Sequence, residues 1–301
     1  MSVALSPDFS HVWRRQAWRR QPYVARNVIP NAWRRQFSKA RFFGWTETTS
    51  STIRLFIRPD SATPAAARSV LVRSPSESIE IYTHCKDRGE PVTLLMNGVD
   101  VVDAAIDVLR NALGVPYSFR RDDVAATLSA PSSGIGYHAG HEDGFIIQLS
   151  GARRWRVWSS DYTPSSHRLA LLSLKVDAPG ALEPTSEAPI LDCKLNAGDV
   201  LYIPPFCPHD GYTLRESISL SVAWRGWSLG HLLGSVASSL PDTIAALLLP
   251  DRSRRKSLIN AWTEFAAAEL HALGARPPAQ WLQARATELL TSATARAHST
   301  S

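Results

Sequence analysis

Between residues 53 and 224 the apolar residues fall in short, strand-like runs. These runs cover 53–57, 79–83, 92–96, 124–128, 145–149, 155–158, 200–203 and 218–224, with turn-forming Pro, Ser, Gly and Asp between them. One longer stretch, 99–113, carries a helical period instead. Many short strands and few helices predict a mainly β sandwich or barrel. After Trp227 the pattern changes to Leu- and Ala-rich segments at 229–248, 254–273 and 279–297, punctuated by Pro241, Pro250, Pro277 and Pro278. They predict a C-terminal helical appendage. The expected division is therefore a β domain over 1–227 and a helical region over 228–301 that packs on its own barrel or on a second subunit as a homodimer.

The N-terminus repeats a short unit, Trp13-Arg14-Arg15-Gln16, Trp18-Arg19-Arg20-Gln21 and Trp33-Arg34-Arg35-Gln36, at spacings too irregular for a solenoid. The indoles of Trp18 and Trp33 are expected against the core, with the neighbouring arginines in water. Arg14, Arg15, Arg19, Arg20, Arg26, Arg34, Arg35, Lys39 and Arg41 face only Asp8 in that stretch, so much of the net charge of +6 sits there. Such a patch attracts acidic partners. No nucleic-acid-binding motif accompanies it, so a solvated face is the plainer reading and nucleic acid is not an expected partner.

With 301 residues, 44% hydrophobic, the chain can bury one large core plus an appendage. No apolar run approaches the roughly 20 residues that span a bilayer, and Asp8 and His11 interrupt any leader-like stretch. No membrane partner and a cytoplasmic location are expected. Cys85, Cys193 and Cys207 are few, scattered and without CxxC spacing, as in reduced structural thiols.

Two passages carry candidate chemistry. One is Gly134-Ile-Gly-Tyr-His138-Ala-Gly140-His-Glu-Asp-Gly-Phe145 continuing to Arg153-Arg-Trp155; the other is Gly198-Asp199-Val-Leu-Tyr202-Ile-Pro204-Pro205-Phe-Cys-Pro208-His209. The second resembles the late cupin motif, in which a Gly-Asp turn enters a strand and a Pro-rich bend presents a histidine. Together they resemble the JmjC-like 2-oxoglutarate oxygenases, and among these the bacterial ribosomal-protein arginine hydroxylases and ribosomal oxygenases. The likeness runs from Val92 to Arg225, with an entry segment at Trp18 to Arg26. It implies a double-stranded β-helix, a JmjC/cupin barrel, that binds Fe(II) and 2-oxoglutarate and attacks an unactivated C–H bond. By position, His138 and His209 are the implied iron ligands, Arg153 holds the distal carboxylate of 2-oxoglutarate, and Ser219 and Ser221 lie where the family places polar contacts to the cosubstrate.

The sequence departs from the family at one place. The carboxylate of the HxD or HxE pair should stand two residues after His138, where this chain has Gly140. His141-Glu142-Asp143 is a formal HxD, but the spacing to Phe145 and Arg153 puts the family position at Gly140. Halogenases of another branch carry Gly or Ala there and let a halide enter. On that reading Gly140 marks an open chloride position, and the glycine leans toward radical halogenation of an amino-acid, peptide or carrier-bound substrate. The alternative is a hydroxylase of a protein or peptide residue whose carboxylate is displaced. In an extended strand Glu142 shares the face of His138 and Gly140, while His141 and Asp143 point away. A third reading is a barrel that has lost iron chemistry and serves as a binding module.

Overall fold

The computed structural model describes residues 5, 9–48, 53–58, 64–72, 74–113, 121–172 and 182–225. The helices expected beyond Trp227, with the 227/228 boundary and any dimer contact they carry, lie outside these residues. Among the described residues no helix is long and apolar enough to cross a membrane.

The chain opens with α1 (Phe9–Gln16), β1 (Tyr23–Ala25), α2 (Asn31–Arg34) and α3 (Lys39–Thr48), then β2 (Ile53–Ile57), β3 (Arg68–Val72), α4 (Pro75–Asp87), β4 (Val92–Met96), α5 (Val99–Val102) and α6 (Ala104–Ala112). There follow β5 (Arg121–Ser129), β6 (Glu142–Gln148), β7 (Ala152–Val157), α7 (Ser165–Leu172), β8 (Leu191–Asn196), β9 (Val200–Ile203), β10 (His209–Arg215) and β11 (Ser217–Arg225). An eight-stranded sheet has the order β1-β9-β6-β11-β5-β4-β2-β3, and a three-stranded sheet the order β10-β7-β8. Two compact units are distinguished, 1–114 with 122–163 and 180–223, and 115–121 with 164–179 and 224–301. The first contains every site residue considered below; α7 belongs to the second.

Strand parity decides what faces what. On β6 and β9, Ile146, Leu201 and Ile203 pack with Trp155 and Val157 of β7 and Leu195 of β8, which joins the two sheets through one apolar core. Residues one step along point the other way. Phe145 and Tyr202 receive α1, whose Trp13 is fully buried with its ring 5.0 Å from Phe145 and 5.3 Å from Tyr202. Phe9, Trp13 and Ala17 recur at every fourth residue and are all buried, leaving Arg14, Arg15 and Gln16 in water. Trp33 is buried as expected; Trp18 is only half-buried, and Trp13 takes the deep position. The N-terminal charge is also less solvated than expected. Arg19 pairs with Asp143, Arg26 with Asp199 and Arg41 with Asp103.

Two sequence expectations are corrected. Residues 79–83 are not a strand but the middle of α4. The Ser74 hydroxyl accepts from the Glu77 N–H at 3.2 Å, Pro75 opens the first turn, and Ser78, Tyr82 and Cys85 recur at helical spacing on the buried side. The alternating isoleucines Ile79 and Ile81 merely flank that side. The single helix expected over 99–113 is broken at Asp103, which is extended (φ −137°). Its carboxylate caps Ala105 and accepts from Arg41 and from the Trp45 indole at 2.9 Å, tying α6 to α3.

Candidate metal centre

The two histidines are brought together by backbone pairing. His138 and His209 form an isolated antiparallel bridge, with N–H to O=C distances of 3.1 and 2.8 Å in the two directions. Their rings lie 4.2 Å apart at 64°. Each Nδ1 bonds a carbonyl two residues back, His138 to Gly136 at 2.8 Å and His209 to Cys207 at 2.9 Å. A carbonyl only accepts, so Nδ1 carries the proton in both rings and Nε2 presents a lone pair. Each ring keeps a solvent-facing edge, yet burial pushes both imidazoles toward the neutral form. His209 falls to about 3, with the His138 charge adding to burial. Neutral imidazoles oriented through Nδ1 are what a divalent metal takes as ligands.

The bend that delivers His209 is held tightly. Phe206 adopts a left-handed φ of +61°, a conformation costly for a bulky residue. Its N–H bonds the Gly140 carbonyl at 2.7 Å and its carbonyl accepts from the Thr163 hydroxyl at 2.7 Å, so the two passages of the motif are clamped to each other.

Arg153 lies on the same sheet face as His209. β10 pairs with β7 in the register His209↔Val157, Gly211↔Trp155 and Thr213↔Arg153, so alternate residues line one side. His209 and Arg153 are thus four residues apart along the strand direction, about 13 Å at ~3.3 Å per residue. The Trp155 ring neighbours both, 6.0 Å from the His209 ring and 5.0 Å from the Arg153 guanidinium carbon. Only a glycine fits opposite, since a Cβ at Gly211 would lie 2.8 Å from the indole.

Arg153 is 2% exposed. It donates to Ser219 Oγ at 3.1 Å and, at 3.4 Å each, to Thr127 Oγ1 and the Gly211 carbonyl. Its Nε is buried without a partner, and among the described residues no carboxylate forms an ion pair with it. Burial pulls the guanidinium down to about 10, against the favouring charge of Asp210. A buried cation lacking a counter-ion is expensive unless an anion completes it. The site therefore fits a ligand carboxylate, as 2-oxoglutarate has. Ser219 bonds the Thr127 hydroxyl as well as Arg153; Ser221, half-buried, follows on the same strand face.

At the third position the structure separates the two acidic candidates. Asp143, 4% exposed, accepts from the Tyr202 hydroxyl at 2.6 Å and from Arg19 Nε at 3.2 Å, on the face that receives α1. It is committed away from the histidines. Glu142 is on the opposite, barrel-facing side: a Cβ built on Gly140 would lie 2.6 Å from Glu142 Oε2. The other oxygen, Oε1, is 3.3 Å from His141 Nδ1. Residues 138–141 are irregular and β6 begins only at Glu142, so the strand expected through His138 is replaced by a bend. Among the described residues no three His, Cys, Asp or Glu side chains already converge as a metal-binding group. The histidines form a pair, with Glu142 turned along Gly140.

A buried ion network was not foreseen. Asp210, adjacent to His209 and fully buried, takes both terminal nitrogens of the equally buried Arg58 at 2.6 and 3.0 Å and Arg156 at 2.8 Å. Arg154, on the same side of β7, instead pairs with Asp192 in the open. The outward face of β7 near Arg156 is covered rather than wet, which alternation alone does not reveal.

A two-sheet barrel that clamps a histidine pair at one end of a strand and a buried arginine at the other is the JmjC type of cupin barrel. Residues 115–232, which contain His138, Arg153 and His209, match the model of the JmjC domain family. A relative in Escherichia coli, the ribosomal protein uL16 3-hydroxylase, is 36% identical over 121 residues, which are 40% of this chain and 30% of the relative. The probable ribosomal oxygenase of Haemophilus influenzae is 25% identical over 49% of this chain and 35% of its own length. The chain thus spans about a third of the length of these curated relatives. Among solved structures, the E. coli ribosomal oxygenase YcfD in complex with cobalt and 2-oxoglutarate superposes with a TM-score of 0.57 at 22% identity, covering 89% of this chain and 68% of that one. That likeness concerns the fold.

Proposed function

We propose that this chain is an Fe(II)- and 2-oxoglutarate-dependent oxygenase that hydroxylates a side chain of a protein or peptide. The observation that carries the reading is two neutral, Nε2-presenting imidazoles, paired through the His138–His209 bridge, and a buried guanidinium on the His209 face of the β10-β7 pair that has no carboxylate partner among the described residues. His138 and His209 would hold iron, and Arg153, steadied by Ser219 and Thr127, would hold the distal carboxylate of 2-oxoglutarate through charge-assisted hydrogen bonds. Bound together, the two cofactors supply the oxidation. One oxygen atom of O2 enters succinate as CO2 leaves 2-oxoglutarate, and the other enters a substrate C–H bond. The chain's own residues hold these reactants in register and keep water from the guanidinium end.

A protein substrate is favoured over a free amino acid or a carrier-bound one by the names of the relatives, a ribosomal protein hydroxylase and ribosomal oxygenases. Those names also favour hydroxylation over halogenation. The test is to incubate the protein with Fe(II), 2-oxoglutarate, O2 and chloride over ribosomal proteins extracted from a bacterial lysate, and to read succinate and product mass. Succinate release with a mass gain of one oxygen on a ribosomal protein is expected, and is lost in His209→Ala. Replacement of one hydrogen by chlorine would restore the halogenase reading. Absence of iron and 2-oxoglutarate binding would leave a non-catalytic barrel.

A further inference from the structure

We infer that the carboxylate this barrel lacks at position 140 is supplied from position 142, and that Gly140 is the residue that makes room for it. The inference rests on the iron reading above and concerns only which side chain completes the ligand set.

The geometry has three parts. The first is space. A Cβ on Gly140 would approach Glu142 Oε2 to 2.6 Å, closer than nonbonded atoms tolerate, so the Glu142 carboxylate already fills the volume that a side chain at 140 would use. Any other residue at 140 must push it out. The second is facing. Glu142 shares the parity of Ile146, which packs into the inter-sheet core with Trp155 and Ile203, so its side chain leaves β6 on the histidine side of the sheet. The third is elimination. Asp143 is held on the far side by Tyr202 and Arg19.

A glutamate is longer than an aspartate by one methylene. That methylene alone does not span a two-residue offset, but Glu142 Oε2 lies 2.6 Å from where a Cβ at 140 would stand, so its carboxylate already reaches residue 140. The bend at residues 138–141, fixed by the Phe206 N–H to Gly140 carbonyl bond, keeps that path short. Because no three potential ligands converge among the described residues, the set closes by rotation of the Glu142 side chain, with His141 releasing Oε1. Glycine at 140 leaves that rotation unobstructed on its own side.

The test is anaerobic Co(II) titration of the metal-free protein, followed by its visible spectrum, in chloride-free sulfate buffer and again with chloride. The variants are Glu142→Gln, Glu142→Ala, Gly140→Ala and the double variant Gly140→Asp/Glu142→Ala, with urea unfolding of each metal-free protein to show that folding is intact. Glu142→Gln keeps the volume and removes the charge, so it still reports should the alanine variant unfold. Loss of a first ligand should weaken Co(II) at least as much as loss of an outer partner does, roughly 10- to 100-fold. Both Glu142 variants should show that loss. Gly140→Ala should weaken binding too, and the double variant should regain it. Equal Co(II) affinity in the wild type and Glu142→Gln, with binding still lost in His138→Ala, would overturn the inference and leave the proposed function standing. So would a wild-type spectrum that shifts with chloride and ignores Glu142→Gln. Failure of the wild type to bind Co(II) through His138 and His209 would overturn both.

Discussion

The Tyr202 hydroxyl donates a 2.6 Å hydrogen bond to the Asp143 carboxylate, and that contact places Asp143 on the helix-facing side of the eight-stranded sheet. Burial and the neighbouring carboxylate raise the Tyr202 phenol well above its ordinary value, so at neutral pH it keeps its proton and donates it to Asp143, while its oxygen accepts from the Arg19 backbone N–H at 2.9 Å. A charge-assisted buried bond of this kind contributes about 1.5–3 kcal/mol. Asp143→Asn is therefore expected to lower unfolding stability by about that amount in urea titrations. It should leave the Co(II) affinity of the folded protein unchanged, because the side chain faces away from the histidines. A large loss of Co(II) affinity in this variant would mean that Asp143, not Glu142, is the acidic residue that matters.

Arg153 is expected to trade stability for ligand binding. Its guanidinium is buried beside Arg58 and gains only partial relief from Asp210. Arg153→Met removes that burden while filling much of the volume, and replacement of a buried charge by an apolar side chain is often neutral or stabilising. The metal-free variant should therefore unfold at equal or higher urea than the wild type. Its 2-oxoglutarate affinity should fall by roughly 10- to 100-fold, the equivalent of one charge-assisted hydrogen bond, while Co(II) affinity holds. Arg153→Lys should rescue the binding only in part, since a point charge does not reproduce the planar fork. Isothermal titration with each ligand separates the two effects.

Two aspartates of the three-stranded sheet region should differ sharply in cost. Asp210→Asn removes the fully buried counter-charge of Arg58 and Arg156, and breaking such a pair costs about 3–5 kcal/mol. Asp192→Asn removes the partner of Arg154 in an exposed pair, worth about 0–1 kcal/mol. Urea unfolding of the two variants side by side checks the difference. Equal losses would show that the Arg58–Asp210 pair is far more solvated than its burial indicates.

Much of the barrel was legible in the sequence because its strands are locally encoded. The runs at 53–57, 92–96 and 200–203 coincide with β2, β4 and β9: each is a short, largely apolar run bounded by turn residues, and the last two are buried at nearly every position. The histidines and Arg153 stood out as candidates for a different reason: the Gly-Asp turn, the Pro-rich bend and the Phe145-to-Arg153 spacing carry the family resemblance within short stretches of chain. Residues 79–83 misled because two isoleucines alternate inside a helix whose real signal is the Ser74 cap and Pro75 at its start.

By itself, then, the sequence determined the β class and, through two short motifs and the resemblance they carry, marked His138, His209 and Arg153 as candidates and Gly140 as the departure from the family pattern. Only the tertiary structure decided that Glu142 fills the space at Gly140, that Asp143 is spent on Tyr202 and Arg19, and that Asp210 is buried between two arginines. The first depends on the bend that Phe206 holds at Gly140, and the other two on partners more than fifty residues away; a one-dimensional pattern carries neither.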